Sequence, residues 1–240
     1  MADPFRHHPG LRDLIADPES SFFRDFTAED FCAAIAKRGL PVPETTPDDV
    51  REAGRKALLS GCEGDLWIFA YGSLMWDPCV TFAEVRRAQA VDHARKFILK
   101  DTLGGRGTAN APGLMVALDT SPGTICNGLV FRIEADLVEV ETARLWRRER
   151  LVPAYNEVWV SAETAQGLVR AATFRADHGS ALIDTTLSFE EKVRYTATGS
   201  GFLGSSLDYI RGISKHFREM KIDDPEVARL LAAAELYRGG

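Results

Sequence analysis

The stretch DLWIFAYGSLMWDP, residues 65–78, joins a short apolar run to a glycine-serine turn. Leu66 to Phe69 are apolar or aromatic without a break, which is typical of a strand that is buried on both faces. Gly72 and Ser73 follow at the exit of that strand, where glycine lets the backbone turn sharply and leaves N–H groups unpaired. Unpaired N–H groups suit an anion such as a carboxylate, although glycine-serine pairs also occur in ordinary tight turns.

The chain continues from this stretch with further strand-like runs, each bounded by Gly, Pro or Asp. These runs are KFILKD (96–101), GLMVALD (113–119), ICNGLVFRIE (125–134), AYNEVWVSAE (154–163) and LVRAATFRA (168–176). Their β-branched and aromatic content predicts five or six strands in one mixed or barrel-like sheet.

Helical patterns flank and interrupt the strand-rich region. They cover residues 27–38, 47–59, 135–150, 187–197, 204–220 and 223–236. Strands that come first and helices that follow predict an α+β fold rather than a repeating βαβ sheet. We therefore expect a single domain with a mixed, barrel-like sheet and surrounding helices at residues 65–240. Residues 1–64 are predicted to be a helical amino-terminal extension, with PVPETTP (41–47) as a linker inside it.

The composition is that of an ordinary globular chain, with 240 residues, 45% hydrophobic and 27% charged. The net charge of −6 argues against a surface that follows nucleic-acid phosphates. The four cysteines lie far apart without a C-x-x-C pair, which predicts reduced thiols. The amino terminus lacks the apolar core of a signal peptide, and no apolar run is long enough to cross a bilayer. We expect a cytoplasmic protein without nucleic-acid or membrane partners.

Glu149 stands near the end of the helix predicted at 135–150, on its apolar face. At about 100° per residue, the face centred on Glu149 carries Trp146, Leu145, Thr142, Val138 and Ala135. A carboxylate that continues an apolar stripe loses water, and at the end of a helix it also meets the negative pole of the helix dipole. Both effects raise its pKa towards the range of a general base. The alternative is a structural ion pair with Arg148, Arg150 or a more distant cation.

Other motifs carry less weight. GSGFLG (199–204) matches G-x-G-x-x-G, but it follows the helix-like SFEEKVRYTAT (188–198) rather than a strand, which argues against a dinucleotide cofactor. The five histidines have no metal-ligand spacing, so no metal is expected. Ser73 resembles a strand-end nucleophile, but AYGSL lacks the second glycine of G-x-S-x-G, which leaves a serine hydrolase as a distant alternative.

Several segments resemble the ChaC family of γ-glutamylcyclotransferases. DLWIFAYGSLMWDP is similar to the family's opening strand and loop, close to V-F-G-Y-G-S-L-I-W. LWRRERLVPAY (145–155) resembles the segment in which an Arg-Glu pair ends a helix before a short loop and a tyrosine. TATGSGFLGSSLDYI (196–210) resembles the block T-A-x-G-x-x-G-x-x-x-E-Y-L, and RGTANAPGLMVAL (106–118) is also similar. The likeness runs from residue 65 to residue 236 in the family's order.

This resemblance implies a cofactor-independent lyase that closes the γ-glutamyl part of glutathione to 5-oxoproline and releases Cys-Gly. It implies a γ-glutamylcyclotransferase-like catalytic domain at 65–240, with Glu149 as general acid and base. The substrate-binding loop that it implies consists of Ala70, Tyr71, Gly72, Ser73, Leu74 and Met75. Tyr155 and Tyr209 are candidate pocket phenols, with core packing as the alternative.

The chain departs from the family pattern at three positions. Ala70 replaces the usual glycine, Met75 replaces isoleucine, and Asp208 stands where glutamate is common. Because the first two lie in the predicted loop, the resemblance fixes the reaction type better than the substrate. Two alternatives stay open: a cyclotransferase for other γ-glutamyl amines or dipeptides, and a non-catalytic binding protein in the regulation of cation transport.

Overall fold

A computed structural model describes residues 2–239 of the chain. The α-helices of these residues are α1 (Ala28–Ala36), α2 (Asp48–Leu59), α3 (Val138–Glu149), α4 (Phe189–Thr198), α5 (Ser206–Glu219) and α6 (Pro225–Gly239). The strands are β1 (Leu66–Ala70), β2 (Glu84–Leu103), β3 (Thr108–Ile133), β4 (Tyr155–Thr164), β5 (Gly167–Ala176), β6 (Ser200–Gly201) and β7 (Gly204–Ser205). Short 3-10 helices span Pro9–Leu14, Pro18–Ser20 and Ser73–Met75.

Five of the strands form a closed barrel in the order β1-β3-β2-β4-β5, and β3 also pairs with β5. Ile68 of β1 lies opposite Phe131 in the antiparallel pairing with β3 and beside Ala172 in the parallel pairing with β5. The barrel is therefore mixed, and the predicted α+β class with a barrel-like sheet and surrounding helices is confirmed.

The long strands β2 and β3 differ from the separate short runs that the sequence predicts. β3 joins the runs at 113–119 and 125–134 through a polar stretch, and β2 begins at Glu84, well before the apolar run at 96–101. A strand with one face in water keeps its hydrogen-bond ladder through polar residues, so hydrophobic runs underestimate its length. Inside β3, Gly123 has φ 77°, and its N–H donates to a carboxylate oxygen of Asp92 at 2.8 Å.

The helices agree closely with the sequence patterns. The patterns at 27–38 and 47–59 correspond to α1 and α2, and the three patterns after residue 184 correspond to α4, α5 and α6. Helix α4 begins with a capping box, in which Ser188 accepts from the N–H of Glu191 and Glu191 accepts from the N–H of Ser188. The early 3-10 helices escape prediction because they are too short to show a period.

The described chain divides into two compact units. The first unit contains residues 2–27, 45–95 and 118–175, and the second contains residues 28–44, 96–117 and 176–239. The boundary expected at residue 64 stays a prediction. None of the helices within residues 2–239 has the length and apolar character that a bilayer crossing needs. The cytoplasmic location also stays a prediction.

Helix α3 packs in the first unit through one buried face. Thr142, Leu145 and Trp146 are at most 1% exposed, and the Trp146 ring meets the Phe174 ring of β5 edge-on with centroids 4.8 Å apart. Burying a side chain of this size contributes about 1.5–3 kcal/mol. Glu149 follows one turn after Leu145, so this packing determines where its carboxylate lies.

The glycine run at 199–204 lies in the second unit, in the short hairpin of β6 and β7. The N–H groups of Phe202 and Leu203 donate to the carbonyl oxygens of Gly104 and Gly105 at 2.9 and 2.8 Å. A Cβ atom on Gly201 would collide with these same carbonyl oxygens. Glycine is thus required here for close backbone packing, in a hairpin between two helices rather than in the strand-to-helix turn of a parallel sheet.

Candidate active site

The candidate substrate loop begins where β1 ends at Ala70. Its first turn is the 3-10 helix Ser73–Met75, in which the N–H of Met75 donates to the carbonyl oxygen of Gly72 at 2.9 Å. The first N–H groups of such a turn have no partner inside the turn. The side chains of Tyr71, Leu74 and Met75 are buried, so apolar packing holds the backbone of the loop in place.

Arg95 of strand β2 braces this loop. Its Nε donates to the carbonyl oxygen of Tyr71 at 2.6 Å, and its Nη2 donates to the carbonyl oxygen of Asn127 at 2.6 Å. Gly128 lies so close to the end of β1 that a Cβ atom there would collide with the carbonyl oxygen of Ala70. The loop therefore leaves the barrel at a fixed position.

Glu149 is the last residue of α3, and its side chain is 15% exposed. Nε of Arg148 lies 3.1 Å from its Oε1. Burial raises the pKa of Glu149 above its ordinary value, the Arg148 charge opposes that rise, and the charge of Asp77 adds to it. The sequence suggested two alternatives for Glu149, a desolvated base or a structural ion pair. The structure combines them, because the carboxylate is desolvated and is also paired with Arg148.

Arg148 connects the glutamate to the loop. Its Nη1 donates to the carbonyl oxygen of Asp77 at 2.6 Å, and its Nη2 donates to Oγ of Ser73 at 3.1 Å. The guanidinium is only 6% exposed and lies 4.4 Å above the centre of the Phe23 ring. One side chain thus bonds to the predicted loop and to the predicted base.

Asp77 and Cys79 complete the titratable surroundings of the Arg148-Glu149 pair. Oδ2 of Asp77 lies 3.6 Å from Arg148, and its Oδ1 is buried without a hydrogen-bond partner among the described residues. Burial raises the pKa of the Cys79 thiol to about 11, so this thiol stays protonated at neutral pH. Cys79 also has φ 53°, an uncommon backbone conformation for a residue with a side chain.

The structure brings the predicted residues Ser73 and Glu149 together around Arg148, and it adds Asp77 and Phe23 to the site. Ser73 and Glu149 both contact Arg148, which the sequence suggested only as an ion-pair partner. Asp77 stands in the quoted stretch DLWIFAYGSLMWDP without any role being predicted for it, and Phe23 lies outside every motif that the sequence singled out. Tyr155 begins β4 in the first unit, whereas Tyr209 lies on α5 of the second unit, where the Arg106 guanidinium is 4.8 Å from the centre of its ring. The roles of both tyrosines stay predictions.

Most of the chain is similar to one protein family. Residues 66–236 match the family described as ChaC-like protein. The chain belongs to this family. The matched region contains the candidate loop, the whole of α3 and the glycine-rich hairpin. It begins after Phe23, the amino-terminal residue that contacts Arg148.

Two relatives of this ChaC-like chain are named as glutathione-specific γ-glutamylcyclotransferases. The "Glutathione-specific gamma-glutamylcyclotransferase" of Escherichia coli (strain K12) is 31% identical over 72% of this chain and 74% of that protein. The "Glutathione-specific gamma-glutamylcyclotransferase 1" of Danio rerio is 26% identical over 71% of this chain and 89% of that protein.

A solved structure supports the same fold. The crystal structure of a selenomethionine-labelled γ-glutamyl cyclotransferase specific to glutathione from yeast superposes with a TM-score of 0.64. It is 19% identical and covers 73% of this chain and 98% of the yeast chain. At that identity the likeness concerns the barrel and its helices.

No group of three or more His, Cys, Asp or Glu side chains in the described part of this ChaC-like chain has the arrangement of a metal site. The expectation that the protein needs no metal or other cofactor stays a prediction. The site as described offers a desolvated carboxylate, an adjacent cation and a tightly held turn.

Proposed function

We propose that this protein is a γ-glutamylcyclotransferase that converts glutathione to 5-oxoproline and Cys-Gly. The observation that carries the proposal is the position of Glu149: a carboxylate with a raised pKa, bonded to an arginine that also bonds to the Ser73 loop. The ChaC-like match over residues 66–236 and the names of the relatives support the choice of substrate.

The reaction joins two parts of one substrate. The α-amine of the γ-glutamyl residue attacks its own γ-carbonyl carbon, a five-membered lactam closes, and the amide bond to cysteine breaks. Because both groups are tethered, alignment of the bent conformer alone can contribute about 7–11 kcal/mol. No water molecule is consumed, and free glutamate is not a product.

Two protons have to leave the α-ammonium, and two have to reach the departing nitrogen before it becomes the ammonium of Cys-Gly. A carboxylate between the two nitrogens can accept each proton and pass it on. We assign this role to Glu149. Its raised pKa suits the task, because a carboxylate that is too acidic would return protons poorly.

The loop from Ala70 to Met75 is proposed to bind the γ-glutamyl group. The N–H groups at the start of the Ser73–Met75 turn are suited to the α-carboxylate or to the oxyanion that forms on the γ-carbonyl. A single donor to such an oxyanion contributes about 3–4 kcal/mol. The fixed backbone that Arg95 braces at Tyr71 would keep these donors aligned.

The test is to incubate the purified protein with glutathione and to quantify 5-oxoproline, Cys-Gly and glutamate by mass spectrometry. We expect equal amounts of 5-oxoproline and Cys-Gly, and no glutamate. Glutathione acetylated on its α-amine is the matched control, because it cannot cyclise. Cleavage of the acetylated compound, or release of glutamate, would indicate a hydrolase and overturn the proposal.

Substrate choice is tested in the same assay with a panel of γ-glutamyl dipeptides and γ-glutamyl amines. We expect glutathione to give the highest kcat/KM. A higher kcat/KM for another γ-glutamyl compound would support the same reaction with a different substrate. This is the main alternative, because Ala70 and Met75 depart from the family pattern in the loop that is proposed to bind the substrate.

A further inference from the structure

Phe23 contacts the cation that is paired with the proposed catalytic base. The Arg148 guanidinium lies 4.4 Å from the centre of the Phe23 ring, and Nε of the same guanidinium lies 3.1 Å from Oε1 of Glu149. A guanidinium has its N–H donors in the plane and none on its faces, so an aromatic ring can stack on it without competing for donors. The guanidinium of Arg148 therefore lies over the Phe23 ring while its N–H groups stay bonded to the site.

Arg24 anchors the segment that carries Phe23. Its Nη1 and Nη2 each lie 3.2 Å from a carboxylate oxygen of Glu141, two turns before Glu149 on α3. The two side chains are 7% and 3% exposed. The Arg24 carbonyl oxygen accepts from Nη2 of Arg147 at 2.6 Å. A buried two-bond ion pair of this kind fixes orientation as well as distance.

The contacts come from outside the part of the chain that the ChaC-like family covers. That match begins at residue 66, whereas Phe23 and Arg24 belong to the segment before it. Their partners Glu141, Arg147 and Arg148 all lie on α3, inside the match. The family match therefore gives these two residues no role.

We propose that Phe23, held in place by Arg24, is a positioning residue that fixes the plane of the Arg148 guanidinium and thereby the carboxylate of Glu149. The proposal rests on the catalytic role proposed for Glu149. Phe23 touches no reacting atom in it. It limits the motion of Arg148, whose other contacts include the Asp77 carbonyl oxygen, the Asp77 carboxylate and the Ser73 hydroxyl.

The first test compares Phe23→Leu with Phe23→Tyr. Leucine keeps an apolar cover of similar volume but removes the ring, whereas tyrosine keeps the ring. The matched control is Phe22→Leu, because Phe22 is 61% exposed and its ring contacts are with Phe23 and Phe26. We expect kcat of Phe23→Leu to fall about tenfold with little change in KM. Phe23→Tyr and Phe22→Leu should stay within about twofold of the native protein.

The pH profile separates positioning from a general loss of folded protein. The charged and titratable groups around Glu149 are Arg148, Asp77 and Cys79. Arg148 is the group that lowers the pKa of Glu149, and in Phe23→Leu it is held less firmly while the apolar cover remains. The acid limb of kcat/KM should therefore move to higher pH. An unshifted profile, with the loss equal at all pH values, would overturn the proposal.

A second readout does not depend on turnover. Titration of the Glu149 carboxyl carbon by ¹³C NMR, assigned with Glu149→Gln, should give a higher pKa in Phe23→Leu than in the native protein and an unchanged pKa in Phe22→Leu. Equal titration of the native protein and Phe23→Leu would refute the positioning role even in an active enzyme. If the pKa of Glu149 rises in Phe23→Leu but the native protein makes no 5-oxoproline, Phe23 is still a positioning residue and the proposed cyclotransferase function is refuted.

Discussion

Nε of Arg148 lies 3.1 Å from Oε1 of Glu149, although the two residues are consecutive in the chain. Side chains at positions i and i+1 of a helix do not ordinarily face each other. Here α3 ends at Glu149, and the Arg148 guanidinium is drawn to the Asp77 carbonyl oxygen and the Ser73 hydroxyl. The end of the helix thus places a cation and a carboxylate side by side at the loop.

The pH dependence of turnover follows from the surroundings of Glu149. Burial raises its pKa, with Asp77 adding to the rise and Arg148 opposing it. Because the unprotonated carboxylate has to accept the first proton, kcat/KM should fall on acidification with an apparent pKa above 4.5, the ordinary value for glutamate. Steady-state kinetics with glutathione across the acid range measures this limb. A flat profile down through the ordinary range of a carboxyl group contradicts the assignment.

The same shift predicts a change in stability when Glu149 becomes uncharged. A folded-state pKa above the unfolded one means that the fold prefers the protonated carboxyl. That contribution is fully present below the unfolded pKa and is lost as the pH rises through the folded pKa. Glu149→Gln imitates the protonated form, so its Tm should exceed that of the native protein at neutral pH. The difference should shrink as the pH falls below the folded pKa, and thermal melts over a pH series measure it.

Ser73 is predicted to support the loop rather than to act as a nucleophile. Its hydroxyl oxygen accepts a hydrogen bond from Nη2 of Arg148 at 3.1 Å. Losing one such bond to a charged group costs about 1.5–3 kcal/mol. Ser73→Ala should therefore retain measurable 5-oxoproline formation, with kcat/KM lowered about 10- to 100-fold. Complete loss of turnover in a folded variant, together with a covalent adduct on Ser73 in the native protein, would favour a serine nucleophile.

Arg55 joins α2 to the helix that carries Glu149, and it is far more deeply buried than the two glutamates that pair with it. Its side chain is 1% exposed, while its partners Glu52 and Glu139 are 38% and 79% exposed. Arg55→Met lets both carboxylates hydrate, so it should lower the free energy of unfolding by about 2 kcal/mol. Replacing both glutamates by alanine leaves a buried cation, which costs about 3–5 kcal/mol.

Urea unfolding measures the free energy of unfolding of Arg55→Met and of the variant in which alanine replaces both glutamates. A larger loss of stability in Arg55→Met than in the alanine variant would contradict the prediction. The pH dependence adds a check. Hydrogen bonding to Arg55 lowers the pKa of Glu52 to about 2. Its contribution to stability is therefore present above the ordinary glutamate range and is lost as the pH falls towards 2.

The sequence predicts the barrel class and the helix that carries Glu149, because both depend on local hydrophobic periodicity. It predicts only part of the helix face, since Thr142, Leu145 and Trp146 are buried as the period requires. Ala135 of that face is exposed and precedes α3, and Glu141, which the face did not include, is buried by its pairing with Arg24. It does not predict the full length of β2 and β3, because their exposed polar residues are held by the hydrogen-bond ladder rather than by burial.

The surroundings of the glutamate depend on contacts that are distant in sequence. Phe23 and Arg148 are 125 positions apart, and although Arg148 belongs to the segment that resembles the family, no sequence pattern pairs it with Phe23. Asp77 is visible in DLWIFAYGSLMWDP, but its role towards Arg148 depends on where α3 ends. Family resemblance singles out the glutamate and the loop, whereas the hydrogen bonds of Arg148 that join them form only in the folded chain.

The most direct test of the central claim compares Glu149→Gln with Glu139→Gln in the glutathione assay. Both variants remove one carboxylate from α3, and Glu139 is 79% exposed and bonded to Arg55 rather than to Arg148. With folding checked by circular dichroism, we predict that Glu149→Gln forms 5-oxoproline at least about 10³-fold more slowly than the native protein. Glu139→Gln should retain nearly full activity. Turnover by Glu149→Gln within about tenfold of the native rate would contradict its role as the general acid and base.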